Sequence, residues 1–414
     1  MPVRSTAPTM GERTTASYTG HEITPMDFAL TLAQADIRRQ VSALARGFSW
    51  EYWREKDRKA EYPSEFVQAF ADAGWLGLVI PEAYGGAGLG VIEATLMLEA
   101  ICASGAGLSG ASPIHFAVFP PMPIIRHGSE DLRRRILPEI AAGRLSLAFG
   151  VTEPDAGTDT SRIRTSARRD AGGWIVHGRK VWTSNARHSA KVLLLARTTP
   201  YDEAGPKKLD GLTLFVADLD PASVEIREIE KLGRAAVDSN EVIIDGLRVA
   251  DEDVVGEVGR GFYHLLDSLN PERVLVAGEA VGIGRVALER AAAYARERIV
   301  FGRPIGQNQA VAHPLALAWA RLEGAWQLTL RAAWLIDRGE TCGAEANAAK
   351  VLAAEAGFEA ADAALQTFGG FGYAKEFDVE RLWREVRLYK IAPVSQQMAL
   401  NYLAERVLGL PKSY

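Results

Sequence analysis

The sequence predicts an α+β fold in three parts: an N-terminal helical domain, a middle antiparallel β-barrel or sandwich, and a C-terminal four-helix bundle. Three observations carry this. Apolar residues recur three and four apart up to about residue 145 and again from about residue 257, the spacing of one helix face. Between those stretches, short runs rich in Val, Ile, Leu and Phe alternate with Gly and Asp turns, the pattern of strands. The length of 414 residues suffices for two to three domains at roughly 150 residues each. The changes of texture set the boundaries: an extension over 1–25, a helical domain over 26–145, a β domain over 146–256 and a bundle over 257–414.

Each element has its own warrant. Residues 1–24 are rich in Ser, Thr and Gly and lack an apolar stretch, so no secretory signal is expected. A few Arg among the Ser and Thr leave an organelle transit peptide as the alternative to a plain extension, with Met26 a second candidate start. From Met26, MDFALTLAQADIRRQVSALARGF reads as one amphipathic helix, and Pro63–Ala73 as another that ends near Gly74. PEAYGGAGLG (Pro81–Gly90) is a turn-rich break before the helix VIEATLMLEAICAS. It does not match G-x-G-x-x-G, and no strand clearly feeds it, so it reads as a tight loop and not a phosphate cradle. LSLAFGVT, GWIVHG, KVLLLAR, LTLFVADL and NEVIIDGLRV are the strands, and Thr198–Asp210 is an exposed hairpin loop. After Gly261 four long amphipathic stretches with short connections suggest the bundle, with Gly278, Gly282 and Gly284 letting helices approach closely.

Composition narrows the function. Lys plus Arg total 47 against 52 Asp plus Glu, so a net charge of -5 gives no global pull on nucleic acid or anionic membrane. No run of about 18 uninterrupted apolar residues suggests a membrane span. Two distant cysteines, Cys102 and Cys342, build neither a disulfide framework nor a zinc site, and suit a reducing compartment such as the cytoplasm. The histidines, His115, His127 and His188 among them, show no metal spacing, and surface or packing roles are expected for most. Trp50 and Trp53 with Arg54, Lys56 and Arg58 read as an amphipathic helix end, with a partner patch as the alternative.

Four strings stand apart: FGVTEPDAGTDTSRIRTSA (Phe149–Ala167), GRKVWTSNA (Gly178–Ala186), ARERIVFGRPIGQNQAV (Ala295–Val311) and QTFGGFGY (Gln366–Tyr373). In this order, each in its helical or β context, they resemble the acyl-CoA dehydrogenase family of flavoproteins, over nearly the whole chain from about Met26. The first is similar to the family's Thr-Glu-Pro-x-Ala-Gly-Ser-Asp, with Thr158 in place of the usual Ser. The second is similar to its Gly-x-Lys-x-Trp-Ile-Thr-Asn, and the third to its Glu-Arg-x-x-Phe-Gly string that ends on Gln.

The resemblance implies FAD as cofactor. A flavin ring needs N–H and hydroxyl donors at its pyrimidine edge and an apolar wall on its face. The implied contacts are Phe149, Val151 and Thr152 on one strand, Gly157 and Thr158 in the turn after it, and Trp182, Thr183 and Ser184 on another strand. Arg298, Phe301 and Gln309 would reach the flavin of a neighbouring subunit, as would the turn with Gln366, Gly369 and Gly370. Ser395 and Gln397 match positions that hold the adenine side in the same subunit. Thr158, Asn270 and Arg273 fall along the substrate. No metal is implied. A homotetramer with flavins at dimer interfaces and electron-transferring flavoprotein as acceptor are. Read without the resemblance, the aromatic and hydroxyl residues suit any β core, and Arg298 suits a helix C-terminus.

The family oxidises an acyl-CoA thioester to the trans-2-enoyl-CoA. A carboxylate takes the α-proton, the β-hydride passes to the flavin, and donors polarise the thioester oxygen. Many members carry the base in a C-terminal Tyr-Glu-Gly-Thr string, but an ungapped alignment from Gly372 places Pro393 at that Glu. Isovaleryl-CoA and long-chain members carry it on a core helix, just before an Arg. Here LNPERVLVAGEAVG offers Glu272 before Arg273, and an ungapped count back from Arg298 lands on it. The resemblance therefore implies Glu272 as base, in an apolar pocket that would raise its pKa, with Glu279 a weaker candidate. From the residues alone, Asn270 and Pro271 fit a helix cap and first position, and Glu272 then merely favours a helix start. Within a continuous helix, Pro271 predicts a kink. Pro393 also lacks the N–H that the family uses at the thioester oxygen, so either Val394 donates or the ribityl hydroxyl carries more of the load. The rival readings are a flavin monooxygenase or nitroalkane-oxidase-like member of the same fold, and a non-catalytic partner subunit. Retention of Glu272 and the Arg298 string argues against them.

Overall fold

The computed structural model describes residues 28–413, so the proposed extension over 1–25 and the alternative start at Met26 lie outside the described residues. Seven helices come first: α1 (Leu32–Arg46), α2 (Trp50–Lys59), α3 (Ser64–Asp72), α4 (Val91–Ile101), α5 (Gly107–Val118), α6 (Pro121–His127) and α7 (Glu130–Ala141). The helix expected from Met26 starts at Leu32. Thr31 sets that start through a capping box: its hydroxyl accepts from Gln34 N and its N–H donates to the Gln34 side chain. Helices α4 and α5 are buried on nearly every side, which is why their sequences are apolar all round. The segment Val91–His127 is long and apolar enough to cross a membrane by composition, yet 78% of its most apolar window is buried inside the protein.

The strands are β1 (Leu147–Gly150), β2 (Ser166–Asp170), β3 (Gly173–Ser184), β4 (Lys191–Arg197), β5 (Leu212–Asp218), β6 (Val224–Glu228), β7 (Ser239–Val249) and β8 (Val254–Val255). They form one sheet in the order β6-β7-β3-β2-β4-β5-β8. The sheet is mixed and not purely antiparallel, because β1 runs parallel to β4 with Leu147 opposite Lys191 and Gly150 opposite Leu194. Parallel pairing follows from chain path. A long crossover through β2 and β3 separates β1 from β4, and no tight turn joins them. The run KVLLLAR of β4 is apolar without alternation because both faces are covered. Leu193 and Leu195 pack into the core shared with the helices, and Val192, Leu194 and Ala196 into a second core on the other face.

The C-terminal part contains α8 (Gly261–Glu297), α9 (Gln309–Asp337), α10 (Gly343–Phe368), α11 (Val379–Val386) and α12 (Gln396–Tyr402). The fourth long bundle helix expected from the sequence is two short helices, divided by the turn Arg387–Lys390 and the stretch to Ser395, where the Ala392–Pro393 peptide is cis. The glycines of α8 bring helices together as expected. A Cβ on Gly282 would lie 2.4 Å from the Glu99 carbonyl oxygen, and one on Gly284 would lie 2.8 Å from Leu322 Cδ2.

Helix α8 begins ten residues before Pro271, so Asn270 is no N-cap and Glu272 sits in the helix interior. The helix continues through Pro271. Proline removes the N–H that would bond the Asp267 carbonyl one turn earlier. Arg126 Nη1 supplies a replacement, donating to Asp267 O at 2.6 Å.

Candidate active site

Two strands present the first group of residues. Phe149 lies on β1, and Val151–Thr152 continue the strand beside β3, where Val181 N donates to Thr152 O at 2.9 Å. One turn of this loop is pinned from below. Lys180 of β3 is fully buried and donates to Glu153 Oε1 at 2.8 Å and to Val151 O at 3.0 Å. Burial pushes the Lys180 ammonium down to about 8, against the pull of Glu153. Burial would raise the Glu153 carboxyl, but Lys180 and the donors at Thr165 and Arg164 hold it below the usual range.

A register shift between β3 and β7 at Lys180–Thr183 turns the strand. It places Trp182 at φ 59° with its side chain 57% exposed. Thr183 is fully enclosed, with its hydroxyl unpartnered among the described residues, while Trp182 is exposed and Ser184 half-buried. Ser184 Oγ accepts from Arg234 Nη2 at 2.7 Å, and Arg234 also reaches Ser239 Oγ and Ser112 Oγ. Gly157 and Thr158 lie in the exposed loop beyond, where a Cβ on Gly157 would meet nothing.

The second group is buried between α5 and α8. Glu272 and Glu279 are both enclosed, and His115 from α5 lies between them, with Nε2 2.8 Å from Glu272 Oε2 and Nδ1 2.8 Å from Glu279 Oε1. Tyr389 donates its hydroxyl to Glu279 Oε2. Burial alone would push the imidazole down. The two carboxylates outweigh it and push His115 up to about 10. Burial raises the Glu279 carboxyl, and His115 opposes that rise. The pocket around Glu272 is thus hydrogen-bonded and not the purely apolar one expected. An aromatic path joins it to the strands: His115 to Phe119 with centroids 5.9 Å apart, and Phe119 to Phe149 at 5.0 Å.

A third group lies at the far end of α8. Arg298 caps that helix, as the dipole reading allows, and its guanidinium lies 5.8 Å from the Phe371 ring. With Tyr294, Thr367, Phe368, Gly369 and Gly370 it lines a cleft of about 440 Å³. Among the described residues Arg298 makes no ion pair, Phe301 is fully exposed at φ 50°, and Gln309 and Gln366 are exposed. Gly369 has φ 59°, and Cβ atoms on Gly369 or Gly370 would meet nothing.

The remaining candidates scatter near the bundle. Arg273 Nη1 donates to Asn270 Oδ1 at 3.0 Å. Ser395 caps α12, Gln397 is exposed and Pro393 lies in the exposed turn before them. Tyr389, Arg234 and the pair Glu153–Lys180 were not singled out from the sequence, and His115 was named only among histidines expected to serve surface or packing roles. One signal was available for His115: it is the lone titratable residue of an otherwise apolar helix. Glu272 and Glu279, seven apart, share the helix face it meets.

Three family profiles match the chain in order: acyl-CoA dehydrogenase, N-terminal domain over 31–144, middle domain over 148–247 and C-terminal domain over 259–408. The chain is 39% identical over 383 residues to acyl-CoA dehydrogenase FadE12 of Mycobacterium tuberculosis strain H37Rv, covering 91% of this chain and 96% of that one. Among solved structures it is similar to the glutaryl-coenzyme A dehydrogenase glutaryl-CoA complex, with TM-score 0.88 and 28% identity over 94% of this chain and 98% of that one. The FAD complex of PigA is similar at TM-score 0.85 and 25% identity, over 93% of this chain and 100% of that one.

Proposed function

We propose that this chain, which belongs to the acyl-CoA dehydrogenase family, is an oxidoreductase that converts an acyl-CoA thioester to its trans-2-enoyl-CoA with FAD as cofactor. One observation carries the choice of base. Glu272 is a buried carboxylate with Oε2 held by His115, while Oε1 makes no hydrogen bond among the described residues. Oε1 takes the α-proton: the Cα–H bond breaks and the proton ends on the carboxyl.

The residues present fit a flavin dinucleotide. Trp182 and Ser184 offer a half-exposed aromatic wall and a hydroxyl beside the Phe149–Thr152 strand. The open cation of Arg298, beside glycines where nothing blocks the approach of a diphosphate, fits the far end. Bound FAD supplies a two-electron acceptor for the β-hydrogen. Phe149, Val151, Thr152, Trp182 and Ser184 hold its ring side, with Gly157 and Thr158 covering it from the loop. Arg298, Phe301, Gln309, Gln366, Gly369 and Gly370 serve the flavin of a neighbouring subunit, and the exposure of Phe301 and of Tyr373 supports a covered face there. Ser395 and Gln397 serve the adenine side. Thr158, Asn270 and Arg273 line the path of the CoA. The Pro393 peptide has no N–H, so Val394 N–H serves the thioester oxygen. A homotetramer, electron-transferring flavoprotein as acceptor and a cytoplasmic setting complete the proposal. Free, buried Cys102 and Cys342 suit a reducing compartment.

Incubation with a panel of acyl-CoAs and an artificial electron acceptor tests the reaction type. Loss of two hydrogens from the acyl group, seen by mass spectrometry, is expected. Oxygen incorporation into the product, or oxygen consumption that outruns enoyl-CoA formation, would favour the oxygenase reading instead.

A further inference from the structure

Glu272 belongs to a larger buried unit. Glu279 lies seven positions further along α8, so the two Cα atoms stand about 10 Å apart on one face of the helix. The carboxylates bond opposite nitrogens of one ring and make no hydrogen bond to each other. The ring of His115 spans the gap, with 2.8 Å contacts at both nitrogens. A neutral imidazole has only one N–H and would leave a ring lone pair facing a carboxylate oxygen. Both contacts are hydrogen bonds when the ring carries both protons, and the two carboxylates favour that charged form against the opposing effect of burial. Tyr389 closes the unit by donating to the second Glu279 oxygen. Nothing in this arrangement touches Glu272 Oε1.

We propose that His115 is a positioning residue of the reaction: anchored by Glu279 and Tyr389, it fixes Oε2 of Glu272 and leaves Oε1 alone to meet the α-proton. The proton step keeps its balance. The Cα–H bond breaks, the proton goes to Oε1 and the electron pair stays on the acyl group, while the imidazolium keeps both of its protons. A carboxylate free to rotate would divide its time between orientations, and loss of orientation at the reacting atom costs about 100-fold in rate. The other titratable groups near the unit have partners or are remote from Glu272. Arg234 is bonded to three serines, Glu385 to Leu108 N, Ser109 and Arg381, and the Cys102 thiol lies on the Glu279 side.

The inference rests on Glu272 being the base, so the test compares three variants of the flavin-loaded enzyme: Glu272→Gln, His115→Gln and Glu279→Gln. Flavin content, acyl-CoA affinity and the rate of anaerobic flavin bleaching are measured across pH. His115→Gln is expected to keep flavin and acyl-CoA affinity, to bleach about 100-fold more slowly, and to lose the alkaline limb that wild type shows as the imidazolium titrates near 10. Glu279→Gln removes one of the two charges on the ring and moves that limb to lower pH. A merely structural role would not move the limb. If His115→Gln bleaches at the wild-type rate while Glu272→Gln is inert, the base stands and the positioning role is overturned. If Glu272→Gln bleaches like wild type, the reading of the base fails and this inference with it. Should His115→Gln lose its flavin, an unmoved limb in Glu279→Gln overturns the proposal.

Discussion

Replacing Glu153 by Gln isolates the buried pair that pins the Thr152 loop to β3. The amide keeps the shape and one acceptor but removes the one charge paired with Lys180 among the described residues, and that ammonium is fully enclosed. Breaking one side of a buried pair costs about 3–5 kcal/mol while the other charge stays buried and uncompensated. Lys180 escapes that cost by releasing its proton. It titrates at about 8 when paired, so the release costs about 1.4 kcal/mol at pH 7 relative to wild type and next to nothing at pH 9, where the wild-type lysine is itself neutral. The sign is fixed: the wild-type folded lysine binds more protons than the variant's, so the deficit shrinks as pH rises. Urea unfolding should show a deficit of about 1–2 kcal/mol at pH 7 that nearly vanishes at pH 9. Adding Lys180→Met should restore most of the loss. A deficit that does not shrink between the two pH values, or a double variant no more stable than the single one, would refute the reasoning.

Two further outcomes follow from the packing and the titrations. Gly282→Ala forces a Cβ to 2.4 Å from a backbone oxygen and should cost about 1–3 kcal/mol in denaturant unfolding. Gly324→Ala in α9, where a Cβ meets nothing, should stabilise by about 0.5–1 kcal/mol, and equal effects at the two sites would refute the close approach of α8. His115 binds its proton more tightly folded than unfolded, so its contribution to stability is complete below about pH 6.5 and is lost as pH rises through about 10. Wild type should lose up to about 1.4 kcal/mol per pH unit across that window relative to His115→Gln, and parallel pH curves would show that the ring carries no extra proton.

Much of the fold is legible in the chain itself. The helical spacing marked α4, α8, α9 and α10, and the glycine spacing marked where α8 meets its neighbours. Local signals failed where partners came from afar. Asn270-Pro271 reads as a helix start because a local rule has no knowledge of Arg126, which supplies the bond that Pro271 gives up. The parallel pairing of β1 with β4 depends on a crossover that no turn residue announces. The region of the proposed base shows the same limit. Glu272 was visible through its neighbour Arg273 and the string around it. His115 and Tyr389 come from segments more than a hundred residues away on either side of it, and only the packing of α5 and the Arg387–Lys390 turn against α8 joins them.

The most direct test is anaerobic flavin bleaching by a panel of acyl-CoAs, on wild type and Glu272→Gln side by side. The account predicts that at least one acyl-CoA bleaches the wild-type flavin and yields the enoyl-CoA, while the variant keeps its flavin and stays oxidised. A variant that bleaches at the wild-type rate would contradict it by removing Glu272 from the chemistry.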